Sequence, residues 1–175
     1  DQFIDVNGKV KIKNISNLKK DLYGYTAWMG DYAVVEGWDI TTSRYNGTSI
    51  SPRGYNYITA KGKLLSKTDF TYAGYFADGY ALVGTGYVSG KGTRNSSNEA
   101  NWITTKNGSA TTSYYFIDME GNQLGSSTWT LAKPFNEGMA AVAVKGAKGT
   151  YAWGFIDTTG KMATGYDWDE VRNFK

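Results

Sequence analysis

One seven-residue motif appears four times along the chain, and that repetition limits the fold more than any other feature. It reads Phe3-Ile4-Asp5-Val6-Asn7-Gly8-Lys9, then Tyr57-Ile58-Thr59-Ala60-Lys61-Gly62-Lys63. It returns as Phe116-Ile117-Asp118-Met119-Glu120-Gly121-Asn122 and as Phe155-Ile156-Asp157-Thr158-Thr159-Gly160-Lys161. Self-similarity at a few tens of residues marks a repeat architecture. The glycine holds one slot in all four copies, which predicts a tight hairpin turn whose last residue takes a positive φ in a G1 bulge.

A second block travels with the first. It is Phe76-Ala77-Asp78-Gly79-Tyr80-Ala81-Leu82-Val83 in one copy and Phe135-Asn136-Glu137-Gly138-Met139-Ala140-Ala141-Val142 in another, with Trp28 to Val35 as a looser third. Tyr57 to Phe76, Phe116 to Phe135 and Phe155 to Phe174 are each 19 residues, against 25 from Phe3 to Trp28. Six residues before each later anchor stands an aromatic: Phe70, Trp129 and Trp168.

These patterns predict an all-β chain. In the last complete unit, Met139 to Val144 and Tyr151 to Asp157 read as strands around a turn at Lys145 to Thr150. Lys161 to Thr164 is expected to leave as a third strand. Each unit is then a small antiparallel meander, too small to be stable alone, so tandem hairpin repeats must stack into one array. The anchors Trp28, Phe76, Phe135 and Phe174 are expected to plug the stack. Helix signals are poor, and the best covers only Ile15 to Leu22. The expected units are about 1–35, 55–83, 114–144 and a partial 151–175, separated by long hairpin insertions at 36–54 and 84–113. Because Phe174-Lys175 opens another anchor block, the chain reads as a fragment of a longer repeat protein.

Composition then excludes chemistry. The 175 residues contain no cysteine and no histidine, which removes thiolate nucleophiles, disulfides, the commonest general base and the commonest zinc ligands. A net charge of +3, without a run of Lys or Arg, does not call for nucleic acid. No apolar run approaches the ~18 residues of a membrane span. Asp31, Asp78 and Glu137 hold matching turn positions, and Asp5, Asp118 and Asp157 recur at the hairpin start, where Asp accepts backbone hydrogen bonds. Asp167, Asp169 and Glu170 cluster without the spacing of a calcium loop. No catalytic residue, metal ligand or cofactor is assigned.

The stretch Trp153 to Lys161 resembles the core motif of the bacterial WG-repeat family, and Phe135 to Ala140 is similar to that family's second block. The likeness is good over 116–175, moderate over 57–83 and weak over 1–35. The Trp-Gly pair survives only once; Tyr55-Asn56 and Tyr114-Tyr115 stand in its place elsewhere. The resemblance implies an all-β repeat array in bacterial, often envelope-associated or secreted, proteins, and it implies no catalytic residues. Tyr114 to Gly121 and Lys161 to Tyr166 also resemble, more weakly, the aromatic repeats of cell-wall- and glucan-binding proteins.

Repeat packing accounts for Trp28, Trp129, Trp153, Trp168, Phe76 and Phe135. It leaves Trp38 and Trp102, each in an insertion. Around them lie Arg44 and Tyr45 in the first and Tyr87 and Arg94 in the second, among Ser, Thr, Asn and Gly. One reading is elongated hairpins whose aromatics cover small cores of their own. The other is an exposed platform on which sugar rings stack while polar residues read the hydroxyls. The same residue types suit a protein partner. The expected function is a non-catalytic extracellular or cell-surface module binding polysaccharide or oligosaccharide through Trp38, Trp102, Tyr45, Tyr87, Arg44 and Arg94. The alternatives are a protein-interaction or spacer repeat and, behind these, a carboxylate-based glycoside-active enzyme.

Overall fold

The computed structural model describes residues 3–4, 7–12, 21–25, 28–43, 47–87, 92–93 and 110–172, with the backbone alone at 3–4, 11–12, 21–25, 38–43, 47–53, 87, 92–93 and 110–112. The strands are β1 (Phe3–Ile4), β2 (Val10–Ile12), β3 (Asp21–Tyr25), β4 (Tyr32–Ser43), β5 (Gly47–Thr59) and β6 (Tyr72–Ala77). They continue as β7 (Tyr80–Tyr87), β8 (Gly92–Thr93), β9 (Ala110–Asp118), β10 (Leu131–Ala132), β11 (Met139–Lys145) and β12 (Tyr151–Asp157). They form four small sheets, ordered β1-β2, β3-β4-β5-β8, β6-β7-β9 and β10-β11-β12. No α-helix occurs among the described residues. Asp21 and Leu22, the end of the expected helical stretch, begin β3; the rest of that stretch lies outside the described residues.

The chain divides into two compact units, Asp1–Thr71 with Gly86–Ala110, and Tyr72–Thr85 with Thr111–Lys175. In the first, Ala33, Val35 and Ile58 form a buried cluster with Trp28 and Leu64 packed against it. In the second, the core is Leu82, Phe116, Trp129, Phe135, Ala140, Val142 and Ile156. The isoleucine of the recurring motif is fully buried in each of the three later copies, with Ile58, Ile117 and Ile156 at 0%, 1% and 0% exposure.

Both turn signals form as the motif demands. Gly8, Gly62, Gly121 and Gly160 have φ of 74°, 75°, 87° and 79°. In the last copy the Gly160 N–H donates to the Asp157 carbonyl and the Asp157 N–H to the Lys161 carbonyl, both at 2.9 Å, a turn closed by a one-residue bulge. The Phe-x-(Asp/Glu)-Gly block makes two-residue hairpin loops with positive φ at both central positions: Asp78 (51°) with Gly79 (83°), and Glu137 (53°) with Gly138 (78°). That is the turn whose twist matches the flanking strands.

The expected third strand does not form. In the first copy β2 pairs with β1, whereas after the bulge each of the three later copies sends out an irregular arm that touches its hairpin through two isolated bridges. These are Ile58↔Leu64 with Tyr55↔Phe70, Ile117↔Gln123 with Tyr114↔Trp129, and Ile156↔Met162 with Trp153↔Trp168. In the last copy the Phe155 N–H donates to Thr164 Oγ1 at 3.0 Å, so a side chain takes the donor that a ladder would need.

The first insertion is an elongated hairpin. β4 and β5 pair without interruption from Tyr32↔Thr59 to Ser43↔Gly47, with one register shift at Gly37/Trp38. Beyond it, β8 adds to the free edge of β5 through Ser49↔Thr93 and Ile50↔Gly92.

Candidate functional site

Sequence reasoning placed the site in the insertions. Of its six residues, Trp38 lies on β4 opposite Pro52, and Tyr87 ends β7; the structure describes their backbone alone. Arg44, Tyr45, Arg94 and Trp102 lie outside the described residues.

The described surface offers another set of aromatics, which sequence reasoning missed. Tyr72 and Tyr75 on β6 are 40% and 53% exposed. Tyr72 stands opposite Gly84 of β7, and β9, carrying Tyr114, lies on the far side of β7. With no side chain at Gly84, the Tyr72 ring reaches Tyr114, centroids 5.8 Å apart at 71°. Gly74 makes room as well, since a Cβ there would lie 3.5 Å from the Tyr72 ring and 3.1 Å from the Leu82 carbonyl. Tyr114 is half-buried and fixes the edge of the pair. The available signal was Thr71-Tyr72-Ala73-Gly74-Tyr75 itself: two tyrosines flanking an alanine and a glycine.

A second aromatic group lies on the 153–172 repeat. Trp168 packs edge-on against Phe155 at 5.4 Å yet is 40% exposed. It was expected to be packed like its counterparts, but Phe70 and Trp129 are each only 4% exposed. Trp129 is covered partly from the next repeat, where the Tyr166 hydroxyl accepts its indole N–H at 3.2 Å. Lys133 Nζ lies 5.6 Å from the Trp153 ring centroid and donates to the Val171 carbonyl at 2.7 Å.

A cleft of about 160 Å³ is lined by Lys133, Pro134, Phe135, Asn136, Met139, Ala141, Phe155 and Arg172. That is well below the roughly 300–1,000 Å³ of small-molecule pockets. In the preceding repeat the corresponding space, beside Tyr80 and Phe116, is filled by Phe135, with ring centroids 5.2 and 4.8 Å away. The cleft therefore has the form of an anchor socket. Phe174, its anchor by spacing, lies outside the described residues.

Asp157, Asp118 and Asp78 have structural partners. Asp157 Oδ1 accepts the Thr159 hydroxyl at 2.6 Å and the N–H groups of Thr159 and Lys161. The Thr159 hydroxyl, then those amides and the Lys161 charge, hold this carboxyl below the usual range. For Asp118, desolvation pushes the other way, but the Asn122 side chain and the amides of Asn122, Glu120 and Gly121 outweigh it, and the carboxyl is again lowered. Asp78 Oδ2 accepts the Gly138 N–H at 2.8 Å. Burial raises the Tyr55 and Tyr115 hydroxyls, Tyr55 further through Glu36, its cross-strand neighbour. No group of three potential metal ligands occurs among the described residues.

Comparison with known families finds two of these three repeats. The model of the WG containing repeat matches residues 55–87 and 153–175. The chain carries WG repeats. No curated protein and no solved structure matches it. The second match opens on the Trp153-Gly154 pair itself, and the structure gives that WG glycine a steric reason. A Cβ on Gly154 would lie 2.6 Å from the Gly165 carbonyl oxygen and 2.8 Å from Met162 Cε, because the arm packs directly on the strand. In the WG repeat at 55–87 the slot holds Asn56, 2% exposed. Its amide donates to the Ser66 and Thr68 carbonyls and to Asp69 Oδ1, and its oxygen accepts the Ser66 and Tyr57 N–H groups. At 153–154 the arm presses on a glycine, and at 55–56 an amide side chain replaces the contact.

Proposed function

We propose that this WG-repeat chain is a non-catalytic module that binds polysaccharide outside the bacterial cell or at its surface. The observation that carries the reading is the pair of exposed tyrosines on β6, Tyr72 and Tyr75, the first of them packed against Tyr114. Flat aromatic faces take the apolar C–H faces of sugar rings, and phenolic hydroxyls at the rim can hydrogen-bond the sugar hydroxyls. A sheet holds such rings rigidly, which keeps the ordering cost of binding low. Trp38, Trp102, Tyr45, Tyr87, Arg44 and Arg94 in the insertions make a second aromatic and cationic set of the same chemistry. The engagement of Asp78, Asp118 and Asp157 in turns and between turns supports a binding role over a hydrolytic one. Affinity electrophoresis through gels containing soluble polysaccharides tests the reading. Retardation that Tyr72→Ala or Tyr75→Ala relieves is expected; unretarded migration in every gel opposes it.

The second reading, a repeat that binds protein, is favoured by one observation, the exposure of Trp168.

A further inference from the structure

Tyr72 and Tyr75 are three residues apart on β6, a spacing that sends side chains to opposite faces of a regular strand. β6 is not regular there. Ala73 stands opposite Val83 and Phe76 opposite Ala81, so Gly74 and Tyr75 together oppose Leu82, as in a β-bulge. Val83 and Ala81, two apart, lie on one face of β7, and Ala73 and Phe76 opposite them lie on the same face of the sheet. Tyr72 precedes Ala73 and Tyr75 precedes Phe76, so alternation puts both tyrosines on the other face. The extra residue in the strand brings them onto one side.

Gly74 directs the first ring. A Cβ there would lie 3.5 Å from both Cε1 and Oη of Tyr72, so that ring leans along the strand over Gly74, toward Tyr75. Tyr114 holds it from β9. Among the described residues, the Tyr72 and Tyr75 rings do not contact each other, and neither hydroxyl has a hydrogen-bond partner.

We infer that this site takes a linear glycan of at least two linked sugar units, laid along β6, and that Gly74 is a positioning residue for it; the inference rests on the polysaccharide reading above. Tyr72 and Tyr75 leave the strand about 7–10 Å apart, and with their rings separate, one pyranose ring does not lie flat on both. A chain running along the strand sets one sugar on each ring, within reach of a free phenol hydroxyl. Once the first sugar is seated, the second contact is intramolecular, so affinity grows with the number of linked sugars until both rings are filled.

Affinity gels holding β-glucan, xylan or galactomannan select a polymer that retards the chain. Calorimetric titration with a ladder cut from that polymer, from the single sugar to the hexasaccharide, tests the inference. Affinity is expected to rise about tenfold or more between the single sugar and the trisaccharide and then to level off. Tyr75→Ala should flatten the rise, while Tyr75→Phe, which keeps the ring, should retain it. Tyr75 is 53% exposed, so both variants should fold, and unchanged melting would show it. Gly74→Val should weaken the hexasaccharide about tenfold by pushing the Tyr72 ring off its seat; parent affinity in that variant would remove the role of Gly74. A single sugar that binds as tightly as the hexasaccharide would overturn the inference and leave polysaccharide binding standing. A rise with length that Tyr75→Ala leaves unaltered would do the same. Retardation in none of the gels would overturn both.

Discussion

Tyr114 and Trp129 bond each other's backbone in both directions, at 2.7 and 2.8 Å, across 15 residues of chain. Tyr55 with Phe70 and Trp153 with Trp168 repeat the arrangement at the same spacing. This reciprocal pair closes each arm onto its hairpin. It places an aromatic where the next repeat can cover it, and so converts a local loop into a stacking surface.

Replacing Trp129 or Phe135 with Ala should therefore cost roughly 3–5 kcal/mol, the range for a buried aromatic. Phe135 contacts both Phe116 and Tyr80 and is 2% exposed. Trp168→Ala should cost clearly less, because its ring is already partly in water. Denaturant melts of the three variants check the order; equal losses would show that Trp168 is core.

Gly154→Ala should destabilise by about 1–3 kcal/mol through overpacking, since the obstacle is the Gly165 carbonyl and not a flexible side chain. Gly154 has no positive φ, so the cost is steric alone. A melting temperature equal to the parent's would show that the arm moves aside freely.

Asn56→Ala removes one amide and leaves the Ser66 and Tyr57 N–H groups and the Ser66 and Thr68 carbonyls short of a partner. Stranding a buried polar group costs about 1–3 kcal/mol, so the loss should match or exceed that range. Hydrogen exchange should also rise at Ser66 while the Phe70 amide, bonded to Tyr55, stays protected.

Stability should fall on the acid side for a stated reason. The folded Asp118 and Asp157 carboxyls titrate below their unfolded range. Their contribution is complete above the ordinary carboxylate pKa of about 3.9 and is lost as pH falls through the lower folded values. Asp118→Asn and Asp157→Asn should flatten the acid limb of a stability-against-pH curve and leave the slope near neutrality unaltered. An acid limb as steep as the parent's would remove these turns as its cause.

The hairpins could be read from the sequence because their causes are local. The glycine of each bulge, the Asp-Gly and Glu-Gly loops, and the alternation in Met139 to Val144 all act within a few residues. The strands β11 (Met139–Lys145) and β12 (Tyr151–Asp157) follow almost to the residue. The arm was misread as a strand because Thr164, nine residues away, takes the Phe155 N–H, a bond that no periodicity records. Trp168 was misread for the converse reason. Position within a repeat says which way a side chain faces, while its burial depends on what the neighbouring repeat supplies. The tyrosine pair went unnoticed because Tyr72 meets Tyr114 across Gly84, on a strand that the second insertion separates from the β6-β7 hairpin in sequence.

Co-sedimentation with insoluble polysaccharides, run on the parent chain, Tyr72→Ala, Tyr75→Ala and a double variant, tests polysaccharide binding most directly. The account predicts that the parent pellets saturably with at least one glycan. It further predicts that each single substitution weakens binding about tenfold, as loss of one stacking residue should, with melting unchanged. A parent chain that stays in the supernatant with every glycan, or a double variant that pellets as well as the parent, would contradict it.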